Sequence, residues 1–98
     1  MTIQQDRNGS TLTIAPQGRL DTVSAPMLEE TLRPALEGVK KLVFDLCALD
    51  YVSSAGLRVI LSTQKIMNRQ GSMVLRNVKP EIMDIFDVTG FSDFLEFE

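Results

Sequence analysis

The apolar residues of this sequence switch repeatedly between a spacing of two and the three-to-four spacing of a helix. That switching restricts the chain to an alternating α/β architecture. In "TLTIAPQGRL" Leu12, Ile14, Pro16, Gly18 and Leu20 share one parity, while Thr11, Thr13, Gln17 and Arg19 take the other. Such alternation describes a strand with one dry face and one wet face. A shorter strand around Thr2–Asp6 precedes it across Arg7-Asn8-Gly9, and Asn-Gly is a strong hairpin signal because both residues tolerate positive φ. Pro16 has no N–H to give a ladder, so the strand is expected to bulge or lie at an edge there. From Thr22 to Glu37 the period becomes helical: Ser24 or Thr22 can cap, Pro26 suits the first turn, and Met27, Leu28, Thr31, Leu32 and Leu36 form the stripe. Pro34 lacks an N–H for the Glu30 carbonyl, which predicts a kink or an early loosening before Gly38 ends the helix.

"KKLVFDLCAL" reads as one central strand, with Leu42, Phe44 and Leu46 on one face and Val43, Asp45 and Cys47 opposite. Cys47, lying in this apolar run, is expected to be a buried small hydrophobe. After Ser53 and Ser54 a second helix carries Leu57, Ile60, Leu61, Gln64 and Met67 as far as Gly71. "SMVLRNV" is a strand, and Pro80 opens a third helix with Ile82, Ile85 and Phe86 as its stripe and Gly90 past its end. "DFLEFE" alternates as a closing strand. The order ββαβαβαβ predicts one α/β domain over residues 1–98, with a mixed sheet of four or five strands and helices mainly on one face.

Inventory removes many functions. A net charge of −3 with scattered Lys and Arg argues against nucleic acid, which needs a clustered cationic surface. No apolar run approaches the ~20 residues of a membrane span, and "MTIQQDRNGS" lacks the basic and apolar regions of a secretory signal. The single cysteine forms no internal disulfide and is easiest to keep reduced in the cytoplasm, the expected location. The chain contains no histidine, which excludes Ser-His-Asp and Cys-His hydrolases and His-dependent metal sites. No cofactor and no metal are expected, and an enzyme is the least favoured class.

The stretch "DYVSSAGLRVIL", residues 50–61, places two serines where a strand hands over to a helix. Free N–H groups and the positive end of the helix dipole gather at such a corner and favour an anion. Gly56 in the first turn lets another group approach closely, at a helix cost of about 1 kcal/mol relative to alanine. Serine is also among the best N-caps, worth about 1 kcal/mol, so the same residues can be read as a bare cap. No GxSxG elbow supports either serine as a hydrolytic nucleophile.

The stretch resembles the signature of STAS domains, particularly the bacterial anti-sigma factor antagonists: an apolar pair, then Asp-Ser-Ser/Thr-Gly-Leu, then a helix. Tyr51 and Val52 fall on the apolar pair, Gly56 and Leu57 on Gly-Leu, and Ser54 on the serine that accepts phosphate, so Ser54 is expected to be helix cap and acceptor together. "GRLDTVSAP" is similar to the family's approach to its first helix, and "IMDIFDVTGF" to its closing segment. Ser53 stands where the family has aspartate and is a rival acceptor; Ala55 replaces a Ser or Thr, and Arg58 replaces a glycine. Four residues after Ser54, Arg58 shares its helix face and can pair with a phosphate or simply face solvent. The resemblance implies a STAS-like fold and a protein-binding switch. Unphosphorylated, the chain would dock on an anti-sigma factor serine kinase and release a sigma factor; a PP2C-type phosphatase would reset it. Docking is expected around Asp21, Thr22, Val23, Tyr51, Val52, Ser53, Ser54, Gly56, Arg58 and Ser62, on a monomer or weak dimer. The alternative is a non-phosphorylated STAS module that partners a transport ATPase or a regulatory scaffold.

Overall fold

The computed structural model describes residues 1–98. Strands β1 (Thr2–Asn8) and β2 (Thr11–Leu20) form a hairpin, followed by α1 (Ala25–Ala35), β3 (Lys41–Asp45), β4 (Leu49–Val52), α2 (Ser54–Gln70), β5 (Ser72–Arg76) and α3 (Pro80–Thr89). A 3-10 turn at Phe91–Phe94 closes the chain. The sheet runs β1-β2-β3-β5, with β1 antiparallel to β2 and the remaining pairs parallel, and β4 pairs with the far end of β2. This is the expected mixed α/β sheet. Leu12, Ile14 and Leu20 of β2 are buried with Leu28 and Leu32 of α1 and Leu57 and Ile60 of α2, so the parity of β2 sets which face the helices cover.

The hairpin turns at Gly9–Ser10, one residue later than the sequence suggests, since Asn8 pairs with Thr11. Gly9 has φ +64 and Ser10 does not enter the positive region, which is the glycine-first pattern of a type II′ turn. Helix α1 survives only one residue beyond Pro34, as expected of a residue with no N–H for the preceding turn. Arg7 donates to the carbonyls of Ala35 and Glu37 (3.3 and 3.0 Å), and Gln70 donates to those of Leu36 and Val39 (both 2.7 Å). Side chains from two other elements thus satisfy the end of the helix.

Three expectations need correction. The run read as one central strand is two, β3 and β4, separated at Leu46–Ala48. Both lie along the same edge of β2, but Ile14 faces Phe44 whereas Leu20 faces Val52. One extra residue enters at the break, since Gly18 faces Leu49, and a second enters at the Gly18/Arg19 register shift; Leu49 N–H closes the break as a turn onto Leu46 O at 3.1 Å. Cys47 sits in that turn and is exposed, not buried, because the break releases it from the alternation. The closing strand is reduced to one parallel bridge, Leu75 with Phe97. Its apolar residues still pack, Leu95 in the core and Phe97 edge-to-face on Phe86 at 5.8 Å. Pro16 lies where β2 changes neighbour from β3 to β4, just before a register shift at Gly18/Arg19, the irregularity a missing N–H demands.

Candidate functional site

The corner around the serines is assembled by the parallel pairing of β4 with β2. Ser53 N–H donates to Leu20 O at 2.8 Å, the last bond of that pairing, and Ser53 O then accepts Leu57 N–H at 2.9 Å, the first of α2. Ser53 is the N-cap: its backbone is extended and its Oγ accepts the Gly56 N–H at 3.3 Å. The expectation that Ser54 is the cap is corrected: the cap belongs to Ser53, whose extended backbone precedes the helix, and Ser54 is the first helical residue. Ser54 is exposed, and its Oγ forms no hydrogen bond within the protein. The N–H groups of Ser54 and Ala55 have no intrahelical acceptor, since the first turn of any helix lacks one. One oxygen is engaged in holding the helix, and the neighbouring one is free beside unpaired donors and the positive end of the dipole.

Gly56 is what brings the helix this close to the sheet. A Cβ at this position would lie 2.6 Å from Leu20 Cγ and 2.9 Å from Val52 Cγ2. The small residue is thus required by packing, and Gly56 and Val52 are both buried. Neither can touch a docked partner, so these two residues shape the expected surface from beneath instead of forming it.

The remaining expected residues divide between a groove and its surroundings. Thr22, Arg58 and Ser62 line a groove of about 480 Å³ between the first turns of α1 and α2, with Ala25, Ala55 and Val59 among its other walls. Its rim also carries Glu29 opposite Arg58. Val23 is 87% exposed beside it. Asp21 is instead a turn-former: its Oδ1 accepts the N–H groups of Val23 and Ser24 at 3.0 and 3.1 Å. Ser24 Oγ accepts Asp21 N–H at 2.9 Å and donates to Arg19 O at 2.7 Å, which locks the link from β2 to α1. The Ser24 N–H above all holds the Asp21 carboxyl below its ordinary pKa, helped by the Ser24 hydroxyl, the Val23 N–H and the nearby Arg19.

Arg19 was not legible as part of this corner. Its guanidinium stacks on the Tyr51 ring at 4.1 Å from the centroid and lies 3.9 Å from Asp21. The signal was present as wet parity in β2, but linking it to Tyr51 requires the β2–β4 register, in which the two residues pair. The His/Cys/Asp/Glu side chains form no cluster able to hold a metal ion, and no helix is long and apolar enough to cross a membrane.

The STAS domain model matches residues 2–98, nearly the whole chain, and the chain belongs to that family. Among its relatives is BtrV of Bordetella bronchiseptica, assigned as an anti-sigma factor antagonist. It is 37% identical over 93 residues, covering 93% of this chain and 80% of the relative. The anti-sigma-B factor antagonist of Bacillus subtilis is 35% identical, covering 96% and 85%. The anti-sigma factor antagonist SpoIIAA of Bacillus shares the fold at 18% identity in both its unphosphorylated form (TM-score 0.84, covering 99% and 88%) and its phosphorylated form (TM-score 0.77, covering 99% and 91%).

Proposed function

We propose that this chain is an anti-sigma factor antagonist, a cytoplasmic switch that is modified on Ser54 and acts through residues 1–98 as one STAS unit. The observation that carries the reading is the division of labour at the corner: Ser53 Oγ is occupied by Gly56 N–H, whereas Ser54 Oγ is exposed and free. A kinase can therefore take Ser54 without dismantling the cap that holds α2. Unphosphorylated, the corner and the α1–α2 groove dock on an anti-sigma factor serine kinase, which then releases its sigma factor. With ATP bound, the kinase transfers the γ-phosphoryl group. Ser54 Oγ forms the new O–P bond, the bond to the leaving ADP oxygen breaks, and the hydroxyl proton passes to the kinase's base. The product carries about −1.5 to −2 charge at neutral pH.

The helix N-terminus tolerates that charge within the domain, and Arg58, one turn on, pairs with it in this reading. A partner surface that must desolvate the phosphate loses affinity. A PP2C-type phosphatase returns the serine by hydrolysis to inorganic phosphate. Catalysis belongs to the partners throughout; this chain is substrate and ligand.

The test is phosphate incorporation from ATP by the cognate kinase, read by mass spectrometry on wild type, Ser54→Ala and Ser53→Ala. Modification of wild type and Ser53→Ala, but not of Ser54→Ala, is expected. Phosphate on Ser53 in the Ser54→Ala protein would overturn the acceptor assignment. No phosphate on any form, with binding retained, would favour the non-phosphorylated module.

A further inference from the structure

The net negative charge of this protein comes from one end of the chain. Residues 1–79 carry seven Asp and Glu against ten Lys and Arg, whereas residues 80–98 carry six Asp and Glu and no Lys or Arg. That acidic end is α3, the 3-10 turn and the final residues. Glu81, Asp84, Asp87 and Asp93 are exposed, and none lies within ion-pair distance of a Lys or Arg. Their charge is not consumed inside the fold.

Among these acids the same segment exposes two large apolar side chains, Val88 at 87% and Phe94 at 66%. Val88, Ile85, Thr89 and Asp84 line a shallow depression of about 230 Å³. Thr89 turns its hydroxyl back onto Ile85 O at 2.7 Å, so that polar group is already satisfied within the helix. A β-branched residue at an exposed helix position is a poorer helix former than alanine by roughly 0.5 kcal/mol, so Val88 does not serve α3 itself. The face shares no lining residue with the α1–α2 groove.

We propose that this acidic, apolar-centred face of α3 is a second docking surface, and that it receives a basic amphipathic segment of another protein. Charge complementarity selects that occupant. A second copy of this chain would set these unpaired acids against their own counterparts, and like-charge juxtaposition opposes such a contact. A basic segment neutralises the unpaired rim while one or two of its apolar side chains cover Val88 and enter the depression. Because the surface is separate from Ser54, it stays available in both phosphorylation states and gives the switch a tether that its modification does not release.

The test is a titration of the isotope-labelled protein with a leucine–lysine amphipathic helical peptide, against a leucine–glutamate peptide of equal length. Amide shifts are expected to cluster on α3 and Phe91–Phe94 with the basic peptide alone. The double substitution Val88→Ser and Phe94→Ser should weaken binding roughly tenfold, as removal of central anchors does, and phosphorylation of Ser54 should leave it unchanged. Shifts spread over the whole surface and indifferent to the double substitution would overturn the proposal. So would equal binding of the acidic peptide, or a dimer in sedimentation equilibrium that the double substitution dissolves.

Discussion

Ser53 Oγ accepts the Gly56 N–H, and alanine at position 53 leaves that donor to water. Loss of an N-cap costs about 1 kcal/mol, so Ser53→Ala is expected to lower the urea midpoint measurably. Ser54→Ala removes no hydrogen bond and should stay within about 0.5 kcal/mol of wild type. Equal losses from the two substitutions would contradict the assigned division of roles. Gly56→Ala separates helix propensity from packing. Propensity alone would stabilise the protein by about 1 kcal/mol, but the added Cβ meets Leu20 at 2.6 Å and Val52 at 2.9 Å. Overpacking of this kind costs about 1–3 kcal/mol, so net destabilisation in thermal denaturation is expected. The two serines and the glycine were all legible in the sequence as a corner. The cap, expected at Ser54, lies at Ser53, because either serine can precede the helix and only the backbone turn at Ser53 chooses.

At the scale of elements, the link from β2 to α1 is held by Asp21. Its carboxyl pKa is depressed from the ordinary 3.8, first by the Ser24 N–H. A group depressed in the folded state contributes stability that is fully present above its unfolded pKa and lost as pH falls through its folded one. Denaturation midpoints should therefore fall on acidification below about pH 4, and Asp21→Asn should flatten part of that fall. An unchanged pH profile in the substituted protein would show that the turn does not depend on the carboxylate. Asp45 acts in the same direction: burial raises its pKa, and the Asn77 amide and the Cys47 N–H outweigh that. Element types followed from periodicity, because burial of one face imposes the period on the sequence. The β3–β4 break escaped it, since the parity of Leu42, Phe44 and Leu46 runs smoothly into the turn, and only the pairing with β2 reveals the residue inserted there and the second at the Gly18/Arg19 shift.

Across the whole molecule, phosphorylation of Ser54 adds charge at a solvent-facing helix terminus, away from the buried core. Amide shifts between the two forms are expected to concentrate on residues 51–58 and the facing turn at Asp21–Ser24, with little change in melting temperature. Shifts reaching β1 would mean that the modification reorganises the fold. The sheet order explains the expectation. The corner stands at the end of β4, which pairs only with β2, while β3 and β5 continue the sheet elsewhere.

Residue order alone sets the alternation of strands and helices, the face of β2 that is buried, and the corner at Ser53–Gly56. These are local consequences of side-chain spacing and capping chemistry. It takes the folded chain to lay Arg19 over Tyr51, to make Gly56 a packing contact, and to bring Thr22, Arg58 and Ser62 into one groove. Each of these depends on the register of β4 on β2 or on the docking of α1 against α2. Such contacts join residues far apart in the chain, and no local period encodes them.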